Sequence, residues 1–101
     1  MNPPDAVRIV SSAGLVTIDG ALVFDTVPDV LAQTRALCPA AGSFTVDLGA
    51  VTHADSAALA LLVEWRRLSR ERGVTLELRA LTAQLRALAT ACGLDALIDP
   101  A

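Results

Sequence analysis

Reactive side chains are few in this chain, and most of them gather in one stretch. His53 is the sole histidine, and Asp47, Asp55 and Ser56 stand close to it in sequence. A histidine, a serine and a carboxylate can form a nucleophilic triad, but geometry makes a triad, and some serine lies near any single histidine. Asp47 and Asp55 flank the segment that follows an apolar run, where two carboxylates could hold a metal or act as acid and base. They read better as a residue on the polar face of a strand (Asp47) and a helix cap (Asp55). Cys38 and Cys92 are far apart and form no C-x-x-C pair, so no zinc ligand set is present. The chain has no lysine, which excludes a phosphate-binding G-x-x-x-x-G-K-[ST] loop, and G-x-S-x-G is absent as well. The expectation is a protein that is not an enzyme and carries no cofactor and no metal.

A contact surface is the better reading of the same stretch. Val51-Thr52-His53-Ala54-Asp55-Ser56-Ala57-Ala58-Leu59-Ala60-Leu61-Leu62 passes from a strand through a loop into a helix. Free N–H groups at a helix start favour an anion or another hydrogen-bond acceptor. Small side chains at Ala57 and Ala58 would let a second surface come close to the backbone, with the Ser56 hydroxyl as a donor or acceptor. The alternative is that Ser56 only caps the helix, worth about 1 kcal/mol.

Composition narrows the class of partner. With 101 residues the chain makes one domain, and its 53% hydrophobic content argues against disorder. Net charge is −3, which suits neither nucleic acid nor an anionic membrane surface. Aromatic residues are limited to Phe24, Phe44 and Trp65, too few for base-stacking platforms. The longest apolar run, Ala57 to Val63, is far short of the roughly 20 residues a membrane span needs. The N-terminal Met-Asn-Pro-Pro-Asp lacks the basic and apolar regions of a signal peptide, so a soluble protein with reduced thiols is expected.

The elements that must position the stretch follow from periodicity. Residues 1–6 read as a frayed start. Val7 to Val10 and Leu15 to Asp19 read as two strands of a hairpin around a turn at 11–14, and 21–24 is ambiguous. Asp25 or Thr26 can cap a helix over 27–37 with Pro28 in its first turn. Phe44 to Leu48 alternates as a strand, and 49–54 reads as a loop. Asp55 or Ser56 caps a helix that runs to Arg72, with Ala58, Leu61, Leu62, Trp65 and Leu68 on one stripe. Trp65 reads as core on that stripe, with a partner anchor as the alternative. Arg66, Arg67, Arg70 and Arg72 read as a solvated face suited to the negative end of the helix dipole. Gly73 and Val74 form a Schellman-like stop. Val74 to Leu78 is a strand, Thr82 caps a last helix to Cys92, and 96–98 could add an edge strand. The order β-β-α-β-α-β-α implies an α/β fold: a mixed sheet of hairpin plus parallel strands, with helices packed on it.

These residues also resemble a known family. Phe44 to Leu62, read as strand, Asp-hydroxyl-small-small-Leu and amphipathic helix, is similar to the STAS domain of anti-sigma factor antagonists and of domains attached to sulfate transporters. Ile18-Asp19-Gly20-Ala21-Leu22 and the closing helix Leu81 to Leu94 extend the resemblance across most of the chain, as a single STAS-like domain over 1–101. Antagonists of that family resemble Asp-Ser-Ser-Gly-Leu, with the second serine accepting phosphate; here that position is Ala57. The MlaB branch, the small STAS subunit of a phospholipid-transporting ABC complex, resembles Asp-Thr-Gly-Gly-Leu-Ala-Leu-Leu, which Asp55-Ser56-Ala57-Ala58-Leu59-Ala60-Leu61-Leu62 matches better.

The resemblance implies a non-catalytic accessory subunit that binds the ATPase subunit of an ABC-type lipid transporter. It would support assembly or activity of that complex, as in maintenance of outer-membrane lipid asymmetry. The implied location is cytoplasmic, peripheral to the inner membrane through the complex, with no nucleic-acid partner. The implied partner-binding residues are His53, Asp55, Ser56, Ala57 and Ala58, with Ser56 in the position of the contacting threonine. Two departures stand out: Ser56 lacks the methyl of that threonine, and alanines replace both glycines. The alternative is an anti-sigma factor antagonist-type switch, with Ser56 as the phosphate acceptor.

Overall fold

Alternating branched and aromatic residues build the sheet on which everything else rests. The computed structural model describes residues 7–12 and 14–94. Its elements are β1 (Val7–Ser12), β2 (Leu15–Leu22), α1 (Val27–Leu37), β3 (Ser43–Ala54), α2 (Ala57–Arg72), β4 (Thr75–Arg79) and α3 (Ala83–Ala91). The sheet order is β1-β2-β3-β4. β1 and β2 form the expected antiparallel hairpin, while β2–β3 and β3–β4 pair in parallel. Val16, Ile18, Phe44, Val46 and Leu48 are buried on the face that receives α1 and α2. The other face carries Arg8, Thr17, Thr45, Glu77 and Arg79, with the Thr45 hydroxyl donating to Glu77 Oε2 at 3.2 Å.

The expected loop at 49–54 is strand instead. Inward residues along β3 are spaced by two from Phe44 to Leu48, then by three to Val51 and again to Ala54. The pairing shows why. Thr17 pairs with Asp47 but Asp19 with Ala50, and Gly20 pairs with Val51 but Ala21 with His53. β3 therefore carries one extra residue at each of two bulges, which are uncommon in parallel pairs. At the first, the Gly49 N–H donates to Asp47 Oδ1 at 2.8 Å, and a Cβ on Gly49 would stand 3.1 Å from Ala80 Cβ. β2 likewise runs on through Gly20 to Leu22, and Ser11 and Ser12 belong to β1 rather than to a turn.

Helices cover the apolar face through the stripes the sequence displays. Trp65 is 0% exposed and settles its two readings in favour of core. Its Nε1–H donates to Thr34 Oγ1 at 2.8 Å, and that hydroxyl donates onward to the Val30 carbonyl. The Schellman stop of α2 is present: Gly73 has φ 70°, and the Val74 N–H reaches the Ser69 carbonyl at 2.9 Å. Thr82 caps α3 by accepting from the Leu85 N–H at 3.2 Å. Thr26 stands at the N-cap of α1 without capping it, because its hydroxyl is used in the preceding loop. Cys38 is buried and Cys92 exposed, both free. The edge strand expected at 96–98 and the frayed start at 1–6 lie outside the described residues.

Candidate functional site

β2 and β3 run in the same direction, so their carboxyl ends meet at one edge of the sheet, and both then turn into helices. Ligands of open α/β sheets are commonly received beyond the carboxyl ends of the strands. Three chain segments meet there. The Asp55 N–H extends the ladder to the Leu22 carbonyl at 3.2 Å, and the Ala54 N–H donates to Gln84 Oε1 of α3 at 3.0 Å. The loop between β2 and α1 is tied by Thr26, whose Oγ1 donates to the Ala21 carbonyl at 2.7 Å and accepts from the Val23 N–H at 3.0 Å.

Asp55 joins the loop to the helix start. Its Oδ1 accepts from the Ala57 N–H at 2.8 Å, and its Oδ2 accepts from the Phe24 N–H at 3.1 Å. Asp55 is thus the side chain that caps α2, while Ser56 occupies the N-cap position and makes no capping bond. Ser56 is already helical, with φ −62° and ψ −20°, instead of the extended backbone typical of a capping serine. Ser56 is exposed to solvent.

The expected pool of free amides is absent. The Ala57 N–H goes to Asp55 Oδ1, the Ala58 N–H to the Asp55 carbonyl at 3.1 Å, and the Leu59 N–H to the Ser56 carbonyl at 3.1 Å. With its first-turn donors engaged, this helix start offers an anion much less than the sequence implies.

Of the five candidate contact residues, the structure keeps four at the surface. His53 and Ser56 are exposed, and Asp55 and Ala57 are partly so. Ala58 is corrected: at 0% exposure it packs in the core beneath α2, so its methyl cannot meet a partner. Sequence reasoning missed Phe24, which is 78% exposed beside Asp55. The available signal was a large aromatic placed against Asp25-Thr26, at the point where an apolar run breaks off. Outward along α2, Ser56, Ala60 and Val63 form an exposed stripe.

No cluster of three or more His, Cys, Asp or Glu side chains suited to a metal occurs among the described residues. An open cavity of about 440 Å³ lies at the opposite edge, against Leu15, Ser43, Thr45 and Arg79, where β2 and β3 begin. The arginine group of α2 is partly engaged within the chain. Arg67 bridges Glu64 at 2.8 Å and also pairs with Glu71, and the Arg72 guanidinium donates to the Cys38 carbonyl at 2.6 Å. The hydrogen bond from Arg67 holds the Glu64 carboxyl below its ordinary range, and Glu64 raises Arg67 in return. No helix among the described residues is long and apolar enough to cross a membrane.

Comparisons with known proteins agree with this fold. A search of curated protein sequences returns no match. Among solved structures, the anti-sigma factor antagonist SpoIIAA in its unphosphorylated form superposes with a TM-score of 0.73 at 15% identity, over 93% of this chain and 86% of that one. An anti-sigma factor antagonist from Mycobacterium paratuberculosis gives 0.69 at 24% identity, over 97% and 87%. At such identities the likeness is one of fold. The family profile described as "Mlab, STAS domain" matches residues 6–99, nearly the whole chain. The chain belongs to the STAS domain family, in its MlaB-like group.

Proposed function

We propose that this STAS domain is a non-catalytic accessory subunit that docks on the ATPase subunit of an ABC-type lipid transporter. The contact uses the segment 52–57 and the first turns of α2, and it supports assembly or activity of the complex, as in maintaining lipid asymmetry of an outer membrane. The protein acts from the cytoplasmic side, peripheral to the inner membrane through its partner. The observation that carries this reading is the Ser56 hydroxyl, exposed at the N-terminus of α2 and free of the capping duty that Asp55 performs. Docking of this kind changes the ATPase only through unequal affinity for its states.

A second reading is supported by the same exposure and by the likeness in fold to antagonists of anti-sigma factors. Phosphate on Ser56 would add a charge of about −1.5 to −2 beside Asp55, which already holds the first-turn amide. Repulsion between the two anions would loosen the Asp55 hold on the loop and so switch the docking face.

The test is binding of the purified ATPase subunit to the wild-type chain and to Ser56→Arg and Ser56→Asp. Both variants should bind at least about tenfold more weakly, a loss of about 1.4 kcal/mol, while their melting temperatures stay put. Unchanged binding by both variants means the contact lies elsewhere. Stoichiometric phosphoserine at Ser56 on incubation with an anti-sigma factor kinase from the same organism would select the second reading.

A further inference from the structure

The chain has three aromatic residues, and two of them, Phe44 and Trp65, are fully buried. Phe24 is the exception, 78% exposed at the sheet edge that carries Ser56. Aromatic residues, Phe among them, are enriched in the cores of protein–protein interfaces, and a few well-packed anchors carry most of the binding energy there. The frame here is ordered by four bonds around one short loop. The Phe24 N–H donates to Asp55 Oδ2, the Val23 N–H to Thr26 Oγ1, Thr26 Oγ1 to the Ala21 carbonyl, and the Thr26 N–H to the Val23 carbonyl at 2.9 Å. The backbone entropy that ordering this loop would cost on binding is therefore already lost in the free chain. One carboxylate, Asp55, bonds both the Phe24 amide and the Ala57 amide, so the backbone that carries the ring and the backbone that carries the Ser56 hydroxyl are tied together.

Charge around the ring indicates what it meets. Asp25 is its exposed neighbour, and Asp29 is exposed in the first turn of α1. The arginines of α2 sit in the second half of that helix: Ser56 to Arg66, the first of them, is about ten steps, or about 15 Å. We propose that Phe24 is the anchor of the docking face, seated in an apolar socket on the partner protein that is rimmed by Arg or Lys. The inference rests on the docking function proposed for Ser56 and adds to it the residue that supplies most of the affinity. Nucleic acid is excluded as occupant by the same acidic rim. A second copy of the chain, joined about a two-fold axis passing close to Phe24, would set Asp25 and Asp29 of one copy near their equivalents, which disfavours that arrangement.

Equilibrium and kinetic binding of the purified ATPase subunit of the ABC lipid transporter from the same organism tests the proposal. The full chain is compared as wild type, Phe24→Ala, Phe24→Leu, Asp25→Lys/Asp29→Lys and Ser56→Arg. Phe24→Ala should bind about 30-fold or more weakly with an unchanged melting temperature, since the ring is exposed and its bonded amide is backbone. Phe24→Leu should recover part of that loss, and Asp25→Lys/Asp29→Lys should slow association and flatten its dependence on salt. If Phe24→Ala binds like wild type while Ser56→Arg does not, the anchor is wrong and the docking site stands. If the wild type does not bind, the docking function itself fails and the anchor with it; if it binds and neither Phe24→Ala nor Ser56→Arg differs from it, the contact lies elsewhere and the anchor is overturned. A wild-type homodimer that Phe24→Ala makes monomeric would overturn the proposal in favour of a self-contact.

Discussion

Removing the Asp55 carboxylate should cost stability in two separable steps. Asp55→Ala deletes both acceptors, Oδ1 for the Ala57 N–H at 2.8 Å and Oδ2 for the Phe24 N–H at 3.1 Å. A hydrogen bond to a charged group is worth about 1.5–3 kcal/mol when well buried and less at the surface. Asp55 is half-buried and the Phe24 bond lies at the surface, so about 1 kcal/mol each is the reasonable figure, or about 2 kcal/mol together. Asp55→Asn keeps one carbonyl oxygen and turns an NH₂ toward the other donor, so it should lose about half as much. For a chain of this size, 1 kcal/mol corresponds to a shift of about 4–8 °C in melting temperature. Calorimetry should therefore show a fall of about 8–16 °C for Ala and half that for Asn. Amide hydrogen exchange supplies a local check: the Phe24 amide should lose protection in Asp55→Ala while the Trp65 amide, deep in α2, follows only the global change. Equal losses for Asn and Ala, or a Phe24 amide that exchanges freely in the wild type, would refute the assignment of Asp55 as the tie between loop and helix.

Other perturbations test the frame. Trp65→Ala should cost about 3–5 kcal/mol by denaturant unfolding. Trp65→Phe should cost markedly less, because the Thr34 hydroxyl keeps its bond to the Val30 carbonyl after losing the indole N–H. Gly73→Ala should lose about 1 kcal/mol from backbone strain alone, since φ is 70° and a Cβ there would meet nothing within 4 Å; no loss would argue against the left-handed cap. Glu64 titrates below its ordinary 4.5 through its hydrogen bond with Arg67, so the pair's contribution is intact above 4.5 and fades as pH falls through the lower folded value. In an NMR titration Arg67→Ala should bring Glu64 back up toward 4.5, and an unmoved midpoint would show that Arg67 is not the cause.

Sequence and structure part company at particular residues. The two helix stops at Gly73 and Gly93, the Thr82 cap and the stripe through Trp65 were legible because each depends on neighbours within a turn or two. β3 was read too short because its inward positions shift from a spacing of two to three, and a bulge exists only with respect to the strand beside it. Ser56 and Asp55 were equal candidates for the cap. Asp55 takes the role, and its second oxygen accepts from the amide of Phe24, a residue 31 positions away.

The order of residues by itself determined the seven elements, their amphipathic faces and the placement of a hydroxyl where a strand passes into a helix, since these follow from local sterics and periodicity. Tertiary structure alone decided which groups remain on offer at that edge. It spent the first-turn amides on Asp55, sank Ala58 into the core and left Phe24 standing in water beside Ser56. Exposure and hydrogen-bond supply depend on what distant segments bring to the same place, and no window of consecutive residues contains that information.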